Sequence, residues 1–172
     1  MITITKANGV TQYRKDGILH RTDGPAWIED DGSVRYYLDG EMHRDDGPAY
    51  IRSDGMVIYS KHGKTHRDDG PALILKGVTQ QYYKDGKLHR DDGPAIIDDS
   101  GSYKYYKDGK KHRDDGPAYY IHSDGTVEYW KNGERFEADG SKYIEPVQPK
   151  EDKAPDQQNR DRQNRDQDND TY

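Results

Sequence analysis

A histidine, an arginine and an aspartate recur together along this chain at a fixed spacing. The string His-Arg-x-Asp-Gly-Pro-Ala occurs five times, and each copy begins 23 residues after the last. Imidazole, guanidinium and carboxylate groups in one motif could bind phosphates or carboxylates, ligate a metal, or supply a general base with its orienting carboxylate. The histidines and arginines of the five copies, which we call the ladder, are His20, Arg21, His43, Arg44, His66, Arg67, His89, Arg90, His112 and Arg113.

The repetition itself weighs against catalysis and against a metal centre. Active sites are seldom built in five identical copies, and the chain contains no nucleophile elbow, phosphate loop or zinc-hydrolase motif. Histidines on successive hairpins would lie about 9.5 Å apart, which is too far to share one ion at about 2 Å. We therefore predict a protein that is not an enzyme, with no catalytic residues, no metal site and no cofactor.

Two interpretations of the ladder remain open. In the first, the ladder binds a small ligand or a polyanion, such as a nucleotide or phosphate. In the second it is structural: each arginine pairs with the aspartate of its own or a neighbouring turn, and each histidine donates to a backbone carbonyl. The second interpretation is favoured because every copy carries the motif, including copies far from any single site.

The fixed period predicts one supersecondary unit stacked on itself. Asp-Gly follows paired tyrosines in several units, as at Tyr36 to Gly40 and Tyr82 to Gly86, and such turns are typical of β-hairpins. Each unit is read as two short strands, one with the tyrosines and one that begins at Pro-Ala. No stretch shows a helical apolar period. The prediction is an all-β, elongated, single-layer antiparallel meander of about twelve strands, roughly 55 Å long.

The two ends of the repeated region differ from its middle. Thr3 to Val10 resembles half a repeat, whereas Asn132 to Gly140 keeps the turn but has Phe136 where histidine is expected. After about Pro146 the chain is almost entirely polar and cannot bury enough apolar area to offset its ordering entropy. We predict a β-repeat array over residues 1–145, made of a half repeat, five full repeats and a degenerate capping repeat, and a disordered polar tail over 146–172.

Alternation along the strands divides the side chains between two faces. The predicted core face, which we call the alanine face, collects Tyr13, Tyr36, Tyr59, Tyr82 and Tyr105, the motif alanines, and Ile28, Val34, Ile51, Val57, Ile74, Ile97 and Tyr103. The opposite face interleaves Leu73, Arg35, Gln81, Lys104 and Glu128 with the predicted binding residues. Those residues, which define the aromatic face, are Trp27, Tyr37, Tyr50, Tyr83, Ile96, Tyr106, Tyr119 and Trp130.

Composition narrows the class of protein further. Hydrophobic residues make up 30% of the chain and charged residues 35%, so a thick aliphatic core is not expected, and the 15 tyrosines suit a thin sheet. The chain has no cysteine and no long apolar run, so we expect no membrane span and a cytoplasmic location. Its net charge of −6 disfavours nucleic acid as a partner.

The spacing of these residues resembles a known repeat. Each unit has an aromatic strand, then Gly-x-x-His, a second strand and Asp-Gly, and the units follow at a period of 23 residues. This pattern resembles the MORN repeat (membrane occupation and recognition nexus) over Thr3 to about Tyr143. The chain more closely resembles the bacterial and phage variants of this repeat, which carry His-Arg-x-Asp-Gly-Pro-Ala. The resemblance implies an antiparallel β meander that serves as a scaffold, a dimerisation surface or an attachment element and is generally not catalytic. Arg instead of Gly after the histidine weakens any transfer of a lipid-related function.

Three functions follow as hypotheses from these observations. The first is a protein that binds another protein through its aromatic face, in the context of a phage factor that inhibits or recruits a host protein. The second is a small-ligand or polyanion binder that uses the ladder. The third is a structural scaffold that forms a homodimer or a larger homo-oligomer.

Overall fold

The computed structural model describes residues 1–144, so the predicted tail over 146–172 lies outside the described residues. The described part is all-β and has no helix, hence no helix that could span a membrane. Its 22 strands are β1 (Ile2–Ala7), β2 (Val10–Lys15), β3 (Ile18–Leu19), β4 (Trp27–Glu29), β5 (Val34–Arg35), β6 (Tyr37–Leu38), β7 (Glu41–Met42), β8 (Tyr50–Ile51), β9 (Val57–Ile58), β10 (Ser60–Lys61), β11 (Lys64–Thr65), β12 (Leu73–Leu75), β13 (Thr79–Gln81), β14 (Tyr83–Lys84), β15 (Lys87–Leu88), β16 (Ile96–Asp98), β17 (Tyr103–Lys104), β18 (Tyr106–Lys107), β19 (Lys110–Lys111), β20 (Tyr119–Tyr120), β21 (Val127–Lys131) and β22 (Glu134–Phe136).

One long antiparallel sheet connects the repeats. Its strands follow in the order β1-β2-β4-β5-β8-β9-β12-β13-β16-β17-β20-β21-β22, with β3 paired to β2 off this path. Twelve spacings of about 4.8 Å give this path a length of about 58 Å. The predicted all-β antiparallel meander is confirmed.

The prediction of two strands per repeat was wrong, because in the four inner repeats the tyrosine strand breaks at its first tyrosine, whereas β2 and β21 run unbroken past the same position. The segment β5 ends at Arg35 in the long sheet, and β6 begins at Tyr37 in a separate hairpin with β7. At the break, the Tyr36 N–H still donates to the carbonyl oxygen of Ala49 at 2.7 Å. The strand after the hairpin turn is only two residues long, as in β7 (Glu41–Met42) and β15 (Lys87–Leu88), so it is too short for an alternating pattern to reveal it.

These short hairpins form a second row beside the long sheet. The turn between β6 and β7 has positive φ at Asp39 (49°) and Gly40 (84°), the backbone of a type I′ two-residue hairpin. Backbone hydrogen bonds link one hairpin to the next, as from Gly63 N–H to the Met42 carbonyl at 3.0 Å and from Arg44 N–H to the Ser60 carbonyl at 3.1 Å. Each repeat is therefore joined to its neighbour both through the long sheet and through the hairpin row.

The register of the long sheet divides the side chains as the alternation predicted. Val34 lies opposite Ile51 on the alanine face, and Arg35 lies opposite Tyr50 on the aromatic face. The only fully buried hydrophobic residues of the described chain are the five motif alanines on the alanine face, each with no exposed surface: Ala26, Ala49, Ala72, Ala95 and Ala118. The larger side chains on both faces are half-buried for the most part, so the core is a line of small residues and not a layer.

We predict that enlarging one of these alanines destabilises the array. Replacing Ala72 with leucine should lower the free energy of unfolding by about 1–3 kcal/mol, because the side chain would have to displace its packed neighbours. Urea unfolding followed by circular dichroism measures the change. The matched control is Ala138→Leu at an exposed position, where the change should stay within about 0.5 kcal/mol. Equal effects at both positions would contradict the assigned core.

Candidate functional site

The motif arginine is held inside its own loop. In the central repeat, Arg67 Nε donates to Asp69 Oδ1 at 2.7 Å, and NH1 donates to the Pro71 carbonyl at 3.4 Å. The guanidinium carbon lies 3.9 Å from the centroid of the Tyr59 ring. A Cβ atom at Gly70 would lie 3.3 Å from the same carbon, which explains the glycine of the motif.

The same arrangement recurs in every copy of the motif. Each arginine donates to the aspartate two residues later and to the proline carbonyl of its loop, and it lies over the ring of the tyrosine eight residues earlier. The pairs of arginine and ring, with distances between 3.9 and 4.3 Å, are Arg21 with Tyr13, Arg44 with Tyr36, Arg67 with Tyr59, Arg90 with Tyr82 and Arg113 with Tyr105.

The motif histidine joins one repeat to the next, although not by donating to a carbonyl as the sequence suggested. The backbone N–H of Asp39 donates to Nδ1 of His20 at 3.1 Å, and the N–H of Asp108 donates to His89 in the same way. Residues at the first position of the Asp-Gly turns have positive φ, which turns their N–H groups toward the preceding repeat. The prediction failed because turn geometry decides which backbone group reaches the imidazole.

A carboxylate lies beside the same imidazole nitrogen at several of these joints. Nδ1 of His20 is 2.8 Å from Asp39 Oδ1, and Nδ1 of His89 is 3.0 Å from Asp108 Oδ1. The neutral ring can accept the backbone N–H, and the protonated ring can donate to the carboxylate. Nδ1 therefore has a partner within the joint whether it accepts or donates, and only 10% of the His89 side chain is exposed there.

The spaces between successive motif loops do not favour an anion. The cleft between the third and fourth loops has a volume of about 490 Å³ and is lined by three cations, Arg67, Lys84 and Arg90, and by the carboxylates of Asp68, Asp69, Asp91 and Asp92. Three positive and four negative charges leave a net charge of −1. No group of three or more potential metal ligands converges within residues 1–144.

The aromatic face presents a continuous row across the long sheet. Paired positions on successive strands run in the order Trp27, Arg35, Tyr50, Ile58, Leu73, Gln81, Ile96, Lys104, Tyr119 and Glu128. Nine spacings of about 4.8 Å make this row about 43 Å long. Ile58 was not predicted to lie in this row, because the equivalent position of the other repeats holds a polar residue.

A second row on the same face comes from the hairpins. Tyr83 Oη donates to Gln81 Oε1 at 3.1 Å, and Trp130 Nε1 donates to Glu128 Oε2 at 2.8 Å, so Tyr83 in its hairpin and Trp130 at the equivalent position of β21 share a face with the row in the long sheet. Burial raises the pKa of the Tyr83 and Tyr106 hydroxyls. All eight residues that define the aromatic face are half-buried, and the two rows bring them together on one side of the molecule.

A charged cluster lies on the aromatic face near its C-terminal end. The Lys111 ammonium lies 4.3 Å from the Trp130 ring centroid and 3.3 Å from Glu128 Oε2. Burial would raise the pKa of Glu128, but hydrogen bonds from Trp130 and Lys111 outweigh it and hold that pKa below its ordinary value. Arg135 NH1 also lies 3.5 Å from Glu128. The carboxylate is thus neutralised where it packs against aromatic rings.

The N-terminal end of the aromatic face repeats this design. Trp27 Nε1 donates to Glu29 Oε1 at 2.9 Å, and the same carboxylate pairs with Arg35. Arg35 also lies over the Tyr50 ring, 4.5 Å from its centroid. Glu29, Lys111 and Arg135 were not among the residues predicted for this face. The spacing Trp-x-Glu, which puts Trp27 and Glu29 on one side of a strand, was the available signal for Glu29.

Comparison of the chain with protein-family models, with curated proteins and with solved structures gave no match. Its function is therefore argued from the two surfaces described above.

We predict that the ring contact makes the motif arginine a stabilising residue. Arg67→Ala should lower the free energy of unfolding by about 1–3 kcal/mol, because it removes a cation–π contact and the hydrogen bond to Pro71. Arg52→Ala is the matched control: Arg52 donates to Asp54 through Nε at the same 2.7 Å, and its side chain is 38% exposed, against 23% for Arg67. Chemical denaturation should show a clearly smaller loss for Arg52→Ala. Equal losses would mean that the ring contributes nothing.

We also predict that the motif aspartates make the array sensitive to acid. Hydrogen bonds from the arginines lower the pKa of Asp23, Asp46, Asp69, Asp92 and Asp115. A carboxyl whose pKa is lower in the folded state stabilises the fold above its unfolded pKa of about 3.9. This contribution should vanish as the pH falls from about 4 through the lower folded pKa.

Melting temperatures between pH 5 and pH 2 test this prediction. A variant with asparagine at Asp46, Asp69 and Asp92 is the control and should lose less stability over the same interval, because three of the titrating groups are gone. An identical pH dependence in the two proteins would rule out this source of acid sensitivity.

Proposed function

We propose that this chain is a non-enzymatic β-repeat protein that binds another protein through its aromatic face. The observation that carries the proposal is the contrast between its two surfaces. The ladder is occupied by contacts within the array, whereas the aromatic face keeps two rows of large, partly exposed apolar side chains on one side of the molecule.

The composition of the aromatic face supports a protein as its ligand. Tyrosine, tryptophan and arginine are enriched among the residues that dominate binding energy at protein interfaces. The rings here belong to strands, so little conformational entropy is lost when a partner packs on them. Trp27 and Trp130 already donate their indole N–H to Glu29 and Glu128, which leaves no indole donor unsatisfied when the surface is covered.

The middle and later repeats offer the best footprint. Ile58, Leu73 and Ile96 form an apolar stretch of the row, interrupted by Gln81, and Tyr83 lies beside it. Toward the C-terminal end, Tyr106, Tyr119 and Trp130 extend this surface. A partner of standard interface size, about 800 Å² on each side, would cover this part and leave the first repeat free.

The context of the interaction follows from the family resemblance and is likewise a proposal. A MORN-like array with the motif of phage and bacterial variants fits a phage factor that inhibits or recruits a host protein in the cytoplasm. The excess of carboxylates in the inter-loop cleft weighs against the alternative function, polyanion binding by the ladder.

We predict that Tyr106→Glu abolishes partner binding and leaves the fold intact. The charge would lie in the interface and should weaken binding by more than about 2 kcal/mol if Tyr106 is a hot spot. The control is Lys107→Glu on the same strand, at an exposed position whose side chain points to the opposite side.

The experiment is capture of partners from bacterial lysate on immobilised wild-type, Tyr106→Glu and Lys107→Glu chains, followed by mass spectrometry. A protein retained by the wild type and by Lys107→Glu but lost by Tyr106→Glu supports the proposal. Capture that is indifferent to Tyr106→Glu but lost in a folded Arg67→Ala chain would transfer the function to the ladder.

A further inference from the structure

The first strand of the sheet has a free edge. β1 pairs with β2 over six residue pairs, from Ile2 opposite Lys15 to Ala7 opposite Val10. No other strand of residues 1–144 pairs with its outer side. All six residues of β1 are exposed, and Ile2 and Ile4 keep 55% and 58% of their surface exposed.

The hairpin geometry identifies which backbone groups are free. Ala7 and Val10 close the two-residue turn Asn8-Gly9, and the closing pair of such a hairpin exchanges both hydrogen bonds. Because the pattern alternates, Thr3 and Thr5 also bond toward β2, and the bond from Asp16 N–H to the Met1 carbonyl at 3.2 Å continues this series. The N–H and C=O groups of Ile2, Ile4 and Lys6 therefore point away from the sheet.

This edge lacks the features that usually prevent strand pairing. It is long and unbulged, contains no proline, and has a single charged side chain, Lys6. At the other end of the sheet, β22 has three residues, two of them charged, and a bridge between Phe136 and Lys142 covers part of it. The two ends of the array are thus built differently.

We propose that β1 pairs with β1 of a second copy of this chain, antiparallel and about a two-fold axis at Ile4. In this register Ile4 lies opposite Ile4 of the second copy, and Ile2 lies opposite its Lys6. All three residues with free backbone groups then form hydrogen-bonded pairs, which makes six intermolecular hydrogen bonds. A register shifted by two residues would leave one of these pairs unmade.

The side chains of β1 are self-complementary in this register, as an isologous contact requires. Thr3 and Thr5 flank Ile4 symmetrically, so each threonine lies opposite a threonine of the other copy, and the two Ile4 side chains meet on the opposite face. The threonine–threonine pairs and the isoleucine–isoleucine pair are both favourable cross-strand contacts. The result is one continuous antiparallel sheet through two molecules, with the aromatic face of each copy left uncovered.

The pairing predicts a weak, concentration-dependent dimer, because strand addition at an edge buries less than a standard interface. Sedimentation equilibrium of the full chain from low micromolar to high micromolar concentration should show a reversible monomer–dimer equilibrium. A chain that remains monomeric over this range overturns the proposal. Association beyond the dimer also overturns it, since the free edge of β1 can pair with only one other strand.

Single substitutions test the register itself. Ile4→Lys places two ammonium groups opposite each other and should raise the dimer dissociation constant at least tenfold. Ile2→Glu faces Lys6 of the second copy and should lower the constant about threefold. Both side chains are exposed, so the melting temperature of the diluted monomer should be unchanged and serves as the folding control. If Ile4→Lys leaves the dimer dissociation constant unchanged, the dimer is not formed through this edge.

The absence of cysteine from the chain permits an independent test. In an antiparallel hydrogen-bonded pair the two Cα atoms lie about 5.5 Å apart, within the range that a disulfide spans. Under mild oxidation Ile4→Cys should form a covalent dimer, whereas Lys6→Cys, which faces Ile2, should react much more slowly. Equal cross-linking of the two variants would exclude the proposed register. Tyr106→Glu should dimerise normally, which separates this inference from the proposed partner function.

Discussion

Each repeat depends on an arginine whose guanidinium lies over a tyrosine ring. The contact at 3.9 Å between the Arg67 guanidinium and the Tyr59 ring holds the motif loop over the sheet. The chain leaves the loop and re-enters the long sheet at Ala72. The carbonyl of Ala72 accepts from Tyr59 N–H at 2.7 Å, and its N–H donates to the Gln81 carbonyl at 2.8 Å. One alanine thus bonds to the strands on both sides, and only a small side chain fits beneath the loop.

This contact between the arginine, the tyrosine ring and the alanine explains how so polar a chain folds without a thick core. Five alanines are its only fully buried hydrophobic residues within 1–144, so hydrophobic burial at any one point is small. Stability must come from the repetition of this contact along the array, in which each repeat contacts only its neighbours, as in other linear arrays. The motif histidines add a second link at each step, through the turn of the following repeat.

The fold could be predicted from the sequence because its signals are local. The 23-residue period, the Asp-Gly turns and the alternation at residues such as Val34 and Arg35 were enough for the meander and for the two faces. The break at Tyr36 and the acceptor role of His20 could not be predicted, because both depend on how backbone groups of adjacent repeats meet. In the charged clusters around Glu29 and Glu128, the contacts of Arg35, Lys111 and Arg135 were missed for a related reason, since these cations come from other strands than the glutamates.

The motif contacts hold the array together, and we propose that the aromatic face binds the partner. Hydroxyl-radical footprinting of the chain, alone and in complex with the captured protein, tests this division of roles, since tyrosines report from both surfaces. We expect that binding protects Tyr83, Tyr106, Tyr119 and Trp130 and leaves the reactivity of Tyr59, Tyr82 and Tyr105 unchanged. Protection of the tyrosines beneath the motif arginines, with the aromatic face still reactive, would contradict this division of roles.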